Sequence, residues 1–236
     1  MNLKNFYTRN IFRIFYFFKK FVPLKVAQKN IKFFAPNYSQ LCHGHLMLGS
    51  PISKELGILK SKLDRKNKIT IFDIGGNIGW MALKFYDILD VENIDYVLVE
   101  PIPENQEYII KNLKKFNYKL IKKGISNDKK FIELGINDFN GEINIKDTGL
   151  YSSKGSIDKV NIPCVKIDDL VDEKTKIDLI KIDIEGMELE ALKSAEITLK
   201  RSKDIILFFE INKKIIDDFK LISSFLKELG FVNLNP

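Results

Sequence analysis

The sequence predicts an α/β fold, a mostly parallel sheet with helices on both faces and a small β insertion. Three observations carry that prediction. From Lys68 onward, short apolar runs rich in β-branched residues alternate with stretches of helical periodicity. The first run, Ile69 to Phe72, ends in a glycine-rich turn, Asp73-Ile74-Gly75-Gly76-Asn77-Ile78-Gly79. Between residues 129 and 167 the alternation gives way to short strands parted by Asn-Gly, Thr-Gly and Lys-Gly pairs. The runs are continuously apolar, as strands covered on both faces are.

The elements follow in order. Residues 1–48 form a basic, aromatic-rich N-terminal region, and residues 49–236 form the main domain. With 236 residues, 45% of them hydrophobic, one core is expected. Ser50-Pro51 opens a helix through Leu63, with serine as cap and proline in the first turn. Ile69–Phe72 is the first strand, Trp80–Leu89 a helix, and Tyr96–Val99 a second strand ending at Glu100-Pro101. Glu104–Phe116 reads as a helix and Lys119–Ile125 as a third strand. Phe131–Leu134, Glu142–Ile145 and Asn161–Ile167 make the insertion, placed at one edge of the sheet. Strand Ile177–Ile184, helix Met187–Lys200, strand Ile205–Ile211 and helix Lys214–Leu229 restore the alternation. Gly230 caps the last helix, and Phe231–Leu234 starts another strand.

Composition narrows the partners. The net charge is +7, but arginine occurs only at Arg9, Arg13, Arg65 and Arg201, so 34 of the 38 basic residues are lysine, spread among acids. That reads as a solvated surface and argues against a nucleic-acid partner, which calls for clustered charge and arginine forks. Cys42 and Cys164 suggest no disulfide framework and fit a reducing, cytoplasmic compartment. Near the N-terminus the longest uncharged run is Ile14–Phe18, far short of the ~20 apolar residues of a membrane span. No small-residue cleavage site follows it. Residues 1–22 are expected to pack on the core or on a partner subunit, with peripheral contact at the inner membrane face as the competing reading.

The glycine turn has a specific physics. A strand delivers Asp73 to the carboxyl edge of the sheet, where open α/β sheets bind ligands. Gly75, Gly76 and Gly79 permit unusual torsions and a close approach to the backbone. The next helix offers its positive end to an anion, which in S-adenosylmethionine is the methionine carboxylate. Asp73 faces the cationic end of that ligand, and Glu100 suits the hydroxyls of a ribose. Asp73, Gly75, Asn77, Gly79, Glu100 and Ser126, just after the third strand, are the cofactor-binding residues expected from this reading. A dinucleotide fingerprint needs Gly-x-Gly-x-x-Gly. Asn77 or Ile78 stands where its second glycine belongs, so an NAD-dependent oxidoreductase is disfavoured.

With these pieces in place, Ile69 to Asn212 resembles the methyltransferase domain of the FkbM type. The matching pieces are Phe72–Gly79, Val99-Glu100-Pro101, Ile167-Asp168-Asp169-Leu170 and Ile177–Gly186, then Glu188, Leu192, Ala195 and Glu210. The resemblance implies a class I methyltransferase fold, a Rossmann-like sheet with S-adenosylmethionine as cofactor. It implies O-methylation of a hydroxyl on a sugar, a polysaccharide precursor or a natural product. Such a fold ends with a sixth strand and an antiparallel seventh. Here the last strand is expected to be missing or supplied by another chain, which makes an oligomer one expectation. It also leaves a decayed adenosine-ligand-binding scaffold as the alternative function.

The expected catalytic residues are Asp183 and Glu185, at the carboxyl end of the fourth strand, and His43 and His45, the two histidines. If the strand runs through both acids, alternation aims them to one side. One then takes the acceptor proton, or the pair holds a divalent cation with Glu210, the less favoured reading. A structural role for Glu185 competes equally. Zinc is not expected, because a fourth ligand and paired spacing are missing. Lys181, between apolar neighbours, is expected to pair with Asp73, Asp183 or Glu210.

Overall fold

The computed structural model describes residues 24–26, 31–36, 40–41, 44, 48–49, 52–64, 66–136, 143–145, 158–184, 186–202, 204–209 and 216–234. His43, His45, Glu185, Glu210 and residues 1–22 lie outside the described residues. The elements are β1 (Leu24–Val26), β2 (Ile31–Phe33), α1 (Lys54–Leu63), β3 (Lys68–Ile74), α2 (Trp80–Ile88) and β4 (Asn93–Val99). There follow α3 (Pro103–Asn112), β5 (Asn117–Ile121), β6 (Gly124–Ile125), β7 (Phe131–Ile136), β8 (Ile143–Ile145) and β9 (Asp158–Val165). A short 3₁₀ turn (Asp168–Leu170) leads to β10 (Leu179–Ile182), α4 (Glu188–Lys193), α5 (Glu196–Arg201), β11 (Ile206–Phe209) and α6 (Ile216–Glu228).

The central sheet has the order β11-β10-β3-β4-β5, and every neighbouring pair is parallel. The chain starts in the middle at β3, winds out to β5, then returns beside β3 with β10. The winding reverses between β3 and β10, and open α/β sheets bind ligands in the crevice beyond the carboxyl ends at such a reversal.

Strand alternation divides the core in two. Ile69 and Ile71 of β3, Tyr96 and Leu98 of β4 and Leu179 of β10 pack with α1, α2 and α3. Phe72, Ile74, Val99, Ile180 and Ile182 face the other way, against α4, α5 and α6. Ile31, Phe33 and Leu48, from the N-terminal region, belong to the first of these cores. Among the described residues no helix is long and apolar enough to cross a membrane.

Several boundaries differ from those expected, each for a local reason. Helix α1 starts at Lys54, because Ser53, not Ser50, caps it by accepting the Leu56 amide at 3.3 Å. The third strand stops at Ile121, and Gly124-Ile125 leave the central sheet to pair with β9. Gly124 eases that crossing: a Cβ there would sit 3.0 Å from the Ile132 methyl and 3.1 Å from Cys164 Sγ and would push those side chains aside. The insertion is therefore not a fringe on the central sheet but a four-stranded sheet of its own, β6-β9-β7-β8. The expected helix 187–200 is broken in two at Ser194. Its hydroxyl donates to Ala191 O (2.7 Å) and accepts the Ile167 amide (3.2 Å), so the side chain competes with the helical ladder. The fourth strand ends at Ile182, short of Ile184. Phe231–Leu234 is not a strand. Gly230 turns left-handed (φ 85°) and Phe231 N donates to Leu226 O at 2.9 Å, a helix cap that uses up the segment's start.

Candidate functional site

Lys181 and Asp73 stand opposite each other in the β10–β3 register, on the face that packs under α2. Lys181 Nζ lies 3.0 Å from Asp73 Oδ1 and donates to Gly75 O at 2.8 Å. The same ammonium is 3.7 Å from Asp183 Oδ2. One buried lysine thus joins the first strand, the glycine turn and the end of the fourth strand. Asp73 is fully buried, and Lys181 is the partner that its carboxylate meets among the described residues. Burial pushes its carboxyl up from the ordinary range, and the charge of Lys181 pulls it part of the way back. At zero exposure Asp73 meets Lys181, and a ligand reaches it only if that lysine or the turn moves. Asp183 differs, with a side chain 38% exposed just beyond the strand end.

The turn after β3 is held by its own bonds, by β4 and Glu100, by Lys181 of β10 and by Asn112 of α3. Gly75 N and Gly76 N both donate to Val99 O at 3.0 Å. Gly75 has φ 80°, and a Cβ there would collide with the Asp183 carbonyl. Glycine at this position lets the turn and the end of β10 pack backbone against backbone. Asn77 is also left-handed (φ 48°), and its Oδ1 accepts the amide of Ile78 at 2.8 Å. Gly79 (φ 83°) opens α2 with no side-chain cap, so nothing on its own N-cap residue competes for the helix's first amides.

Glu100 closes the site from β4. It is 2% exposed. Its Oε2 accepts the Asn77 amide at 2.8 Å, and its Oε1 accepts Ile102 N at 2.9 Å and Asn105 Nδ2 at 3.3 Å. Burial outweighs these bonds and pushes its carboxyl up to about 7. Ser126, also buried, accepts Lys129 N at 3.1 Å and sends its own amide to Val165 O at 3.3 Å. It shapes the junction of the two sheets. Asp168 caps α5, accepting Ile197 N at 3.0 Å and Thr198 N at 2.8 Å.

Three residues that sequence reasoning did not single out, Asn105, Gln106 and Asn112, hold this arrangement together with Glu188, which entered only as part of the family resemblance. Asn105 steadies Glu100, and Gln106 Nε2 donates to the Glu100 carbonyl at 2.9 Å. Asn112 Nδ2 donates to Ile78 O (2.7 Å) and to Phe34 O (2.9 Å), while its Oδ1 accepts Phe34 N (2.7 Å). It ties the N-terminal segment to the glycine turn. A signal was available: Asn105, Ile109 and Asn112 share one helix face, and two of the three are polar where a core stripe should be apolar. Glu188 Oε1 accepts Ile184 N (3.3 Å) and Gly186 N (3.1 Å), fixing the turn after β10. Among the described residues no three His, Cys, Asp or Glu side chains group as metal ligands.

Known proteins bear on this arrangement. The pattern of the methyltransferase FkbM domain matches residues 73–232. No curated protein matches the sequence. A crystal structure of methyltransferase FkbM from Methylobacillus flagellatus KT superposes at 17% identity and a TM-score of 0.48. That match covers 80% of this chain and 47% of the other, so this chain spans about half the length of that protein. A precorrin-6y C5,15-methyltransferase from Geobacter metallireducens GS-15 superposes at 16% identity and a TM-score of 0.42, covering 77% and 74% of the two chains. With 160 residues matched, most of its length, the chain belongs to the methyltransferase FkbM domain family.

Proposed function

We propose that this protein transfers a methyl group from S-adenosylmethionine to a hydroxyl of a saccharide, a polysaccharide precursor or a natural product. The observation that carries the reading is the bond from the Asn77 amide to Glu100 Oε2 at 2.8 Å. It ties a buried carboxylate at the end of β4 to the glycine turn at the end of β3.

The residues present fit the donor. The carboxylate of Glu100, 2% exposed, would accept ribose hydroxyls by exchanging one of its present bonds, and the uncapped start of α2 favours the methionine carboxylate. Asp73 supports both from below through Lys181 and the Gly75 carbonyl. When bound, S-adenosylmethionine supplies a methyl group on a sulfonium, open to displacement in line. The chain's own part is to align the acceptor, a contribution of ~7–11 kcal/mol, and to take its proton, roughly 10²–10⁴-fold. Asp183 is the described carboxylate placed for that proton, exposed and beyond β10. Glu185, His43 and His45 stay as further proposed participants. A cytoplasmic location belongs to the same proposal; a divalent cation and peripheral membrane contact through residues 1–22 are its less favoured additions.

Calorimetric titration with S-adenosylhomocysteine, run beside NAD, tests the reading. A micromolar Kd, about −8 kcal/mol, weakened at least tenfold in Glu100→Ala, is expected. A folded protein that binds no S-adenosylhomocysteine would overturn it in favour of a decayed scaffold, and binding of NAD instead would reassign the turn.

A further inference from the structure

A concavity lies at the end of the central strands opposite the glycine turn. A cavity of about 610 Å³ opens at the amino ends of the strands, walled by Lys68 of β3, Asn93 and Asp95 of β4 and Asn117 of β5. Strand β3 carries the glycine turn at its other end, roughly 20 Å away at 3.3 Å per residue. An occupant here does not compete with one in the crevice.

The charge of this cavity is lopsided. Lys32, Lys68, Lys111, Lys114 and Lys115 line it, against Glu92 and Asp95. Asp95 is already engaged by Lys68 Nζ at 2.7 Å and Asn117 Nδ2 at 2.6 Å. Lys111 is 3.8 Å from Glu107 and sits 4.4 Å from the centre of the Tyr108 ring. Lys32, Lys114 and Lys115 have no partner among the described residues. Three unspent ammonium groups therefore line one concavity, with Glu92 as the single acid left to oppose them. Low-dielectric walls focus such a field and draw in anions.

The wall beneath is aromatic. Phe34, Tyr86 and Phe116 line it, and Tyr86 and Phe116 are packed edge to face, 4.8 Å between centres at 78°. A simple inorganic anion leaves that surface wet. A ligand with a phosphate at one end and a ring or acyl body at the other covers both parts. The volume falls in the range of small-molecule sites, about 300–1,000 Å³.

We propose that this cavity binds an organic phosphate, its phosphate held by Lys32, Lys114 and Lys115 and its apolar body laid on Phe34, Tyr86 and Phe116. The ligand is either a soluble metabolite or the head of a lipid, and the probes separate the two. The full chain is titrated by calorimetry with 1-naphthyl phosphate, with dihexanoyl phosphatidate below its micellar concentration, and with inorganic phosphate. At least one organic phosphate is expected to bind tenfold or more tightly than inorganic phosphate, and the tighter of the two names the source. Combined Lys32→Glu, Lys114→Glu and Lys115→Glu should weaken that binding at least tenfold, with affinity for S-adenosylhomocysteine and circular dichroism unchanged. Should the triple reversal unfold the protein, Lys114→Gln with Lys115→Gln gives the same readout. Equal affinity for all three phosphates, or binding untouched by the lysine variants, would overturn the proposal.

Discussion

Glu100 is pulled in opposite directions by folding and by its ligand. Burial raises its carboxyl from 4.5 to about 7 in the folded chain. Below pH 4.5 both states hold the proton and Glu100 contributes nothing to the pH dependence. Between 4.5 and 7 the folded chain keeps a proton that the unfolded chain has released, so stability falls as pH rises, by of order 3 kcal/mol in all. Ribose hydroxyls need the ionised form as acceptor, so affinity must rise over the upper part of the same window. The Kd for S-adenosylhomocysteine is expected to drop about tenfold between pH 6 and pH 8, and Glu100→Gln to flatten both profiles. Calorimetry at three pH values in that range, with thermal melts alongside, checks this; a flat wild-type binding curve would mean that Glu100 does not bind as a carboxylate. Glu100 was legible in the sequence because an acid at a strand end has one obvious place to be. The partner of Lys181 was legible only as a choice of three, because which strands are neighbours, and in what register, depends on the whole sheet.

At the scale of elements, the repeating apolar runs predicted β3, β4, α2 and α3 to within a few residues. What stayed hidden are the places where one side chain overrules a pattern. Ser194 breaks a helix by bonding its own backbone, Gly124 lets a strand change sheets, and Gly230 spends the start of an expected strand on a cap. None of these alters hydrophobic periodicity, so periodicity cannot report them. The tie between elements was hidden for the same reason. Asn112 on α3 serves three backbone groups of two other segments, and an asparagine has no period. Asn112→Ala should therefore cost about 2–3 kcal/mol, since it strands buried polar groups rather than merely losing a bond. It should also loosen Ile78 and weaken S-adenosylhomocysteine binding. Urea unfolding and calorimetry on the variant decide it; a loss of stability with cofactor affinity unchanged would confine Asn112 to anchoring the N-terminal segment.

The whole molecule has two sheets of unequal security. The central strands are covered on both faces, by two cores that draw on six helices. Among the described residues, the small sheet rests chiefly on a core whose buried members are Ile102, Ile132, Ile162 and Met187, joins the second central core only through Ile125 and Val165, and leaves Phe131 61% exposed. Opening free energy tracks buried apolar contact, so the small sheet should open without the rest. Two of its four core residues are borrowed: Ile102 follows the Glu100 strand end, and Met187 precedes α4 beside the Asp183 turn. The small sheet thus leans on both sides of the crevice without owning either. Hydrogen exchange resolves the two units. Amides of β7 and β9 should exchange at least tenfold faster than those of β3 and β10. Saturating S-adenosylhomocysteine, bound by the central sheet, should slow β3 and β10 by up to roughly 100-fold at 100 times Kd, where exchange needs global opening. It should leave β7 and β9 nearly unchanged, because their sub-global opening does not release the ligand. Equal protection of both sheets before and after the ligand would show instead that Ile102 and Met187 weld them into one cooperative unit, and that the acceptor side of the crevice is as rigid as the cofactor side.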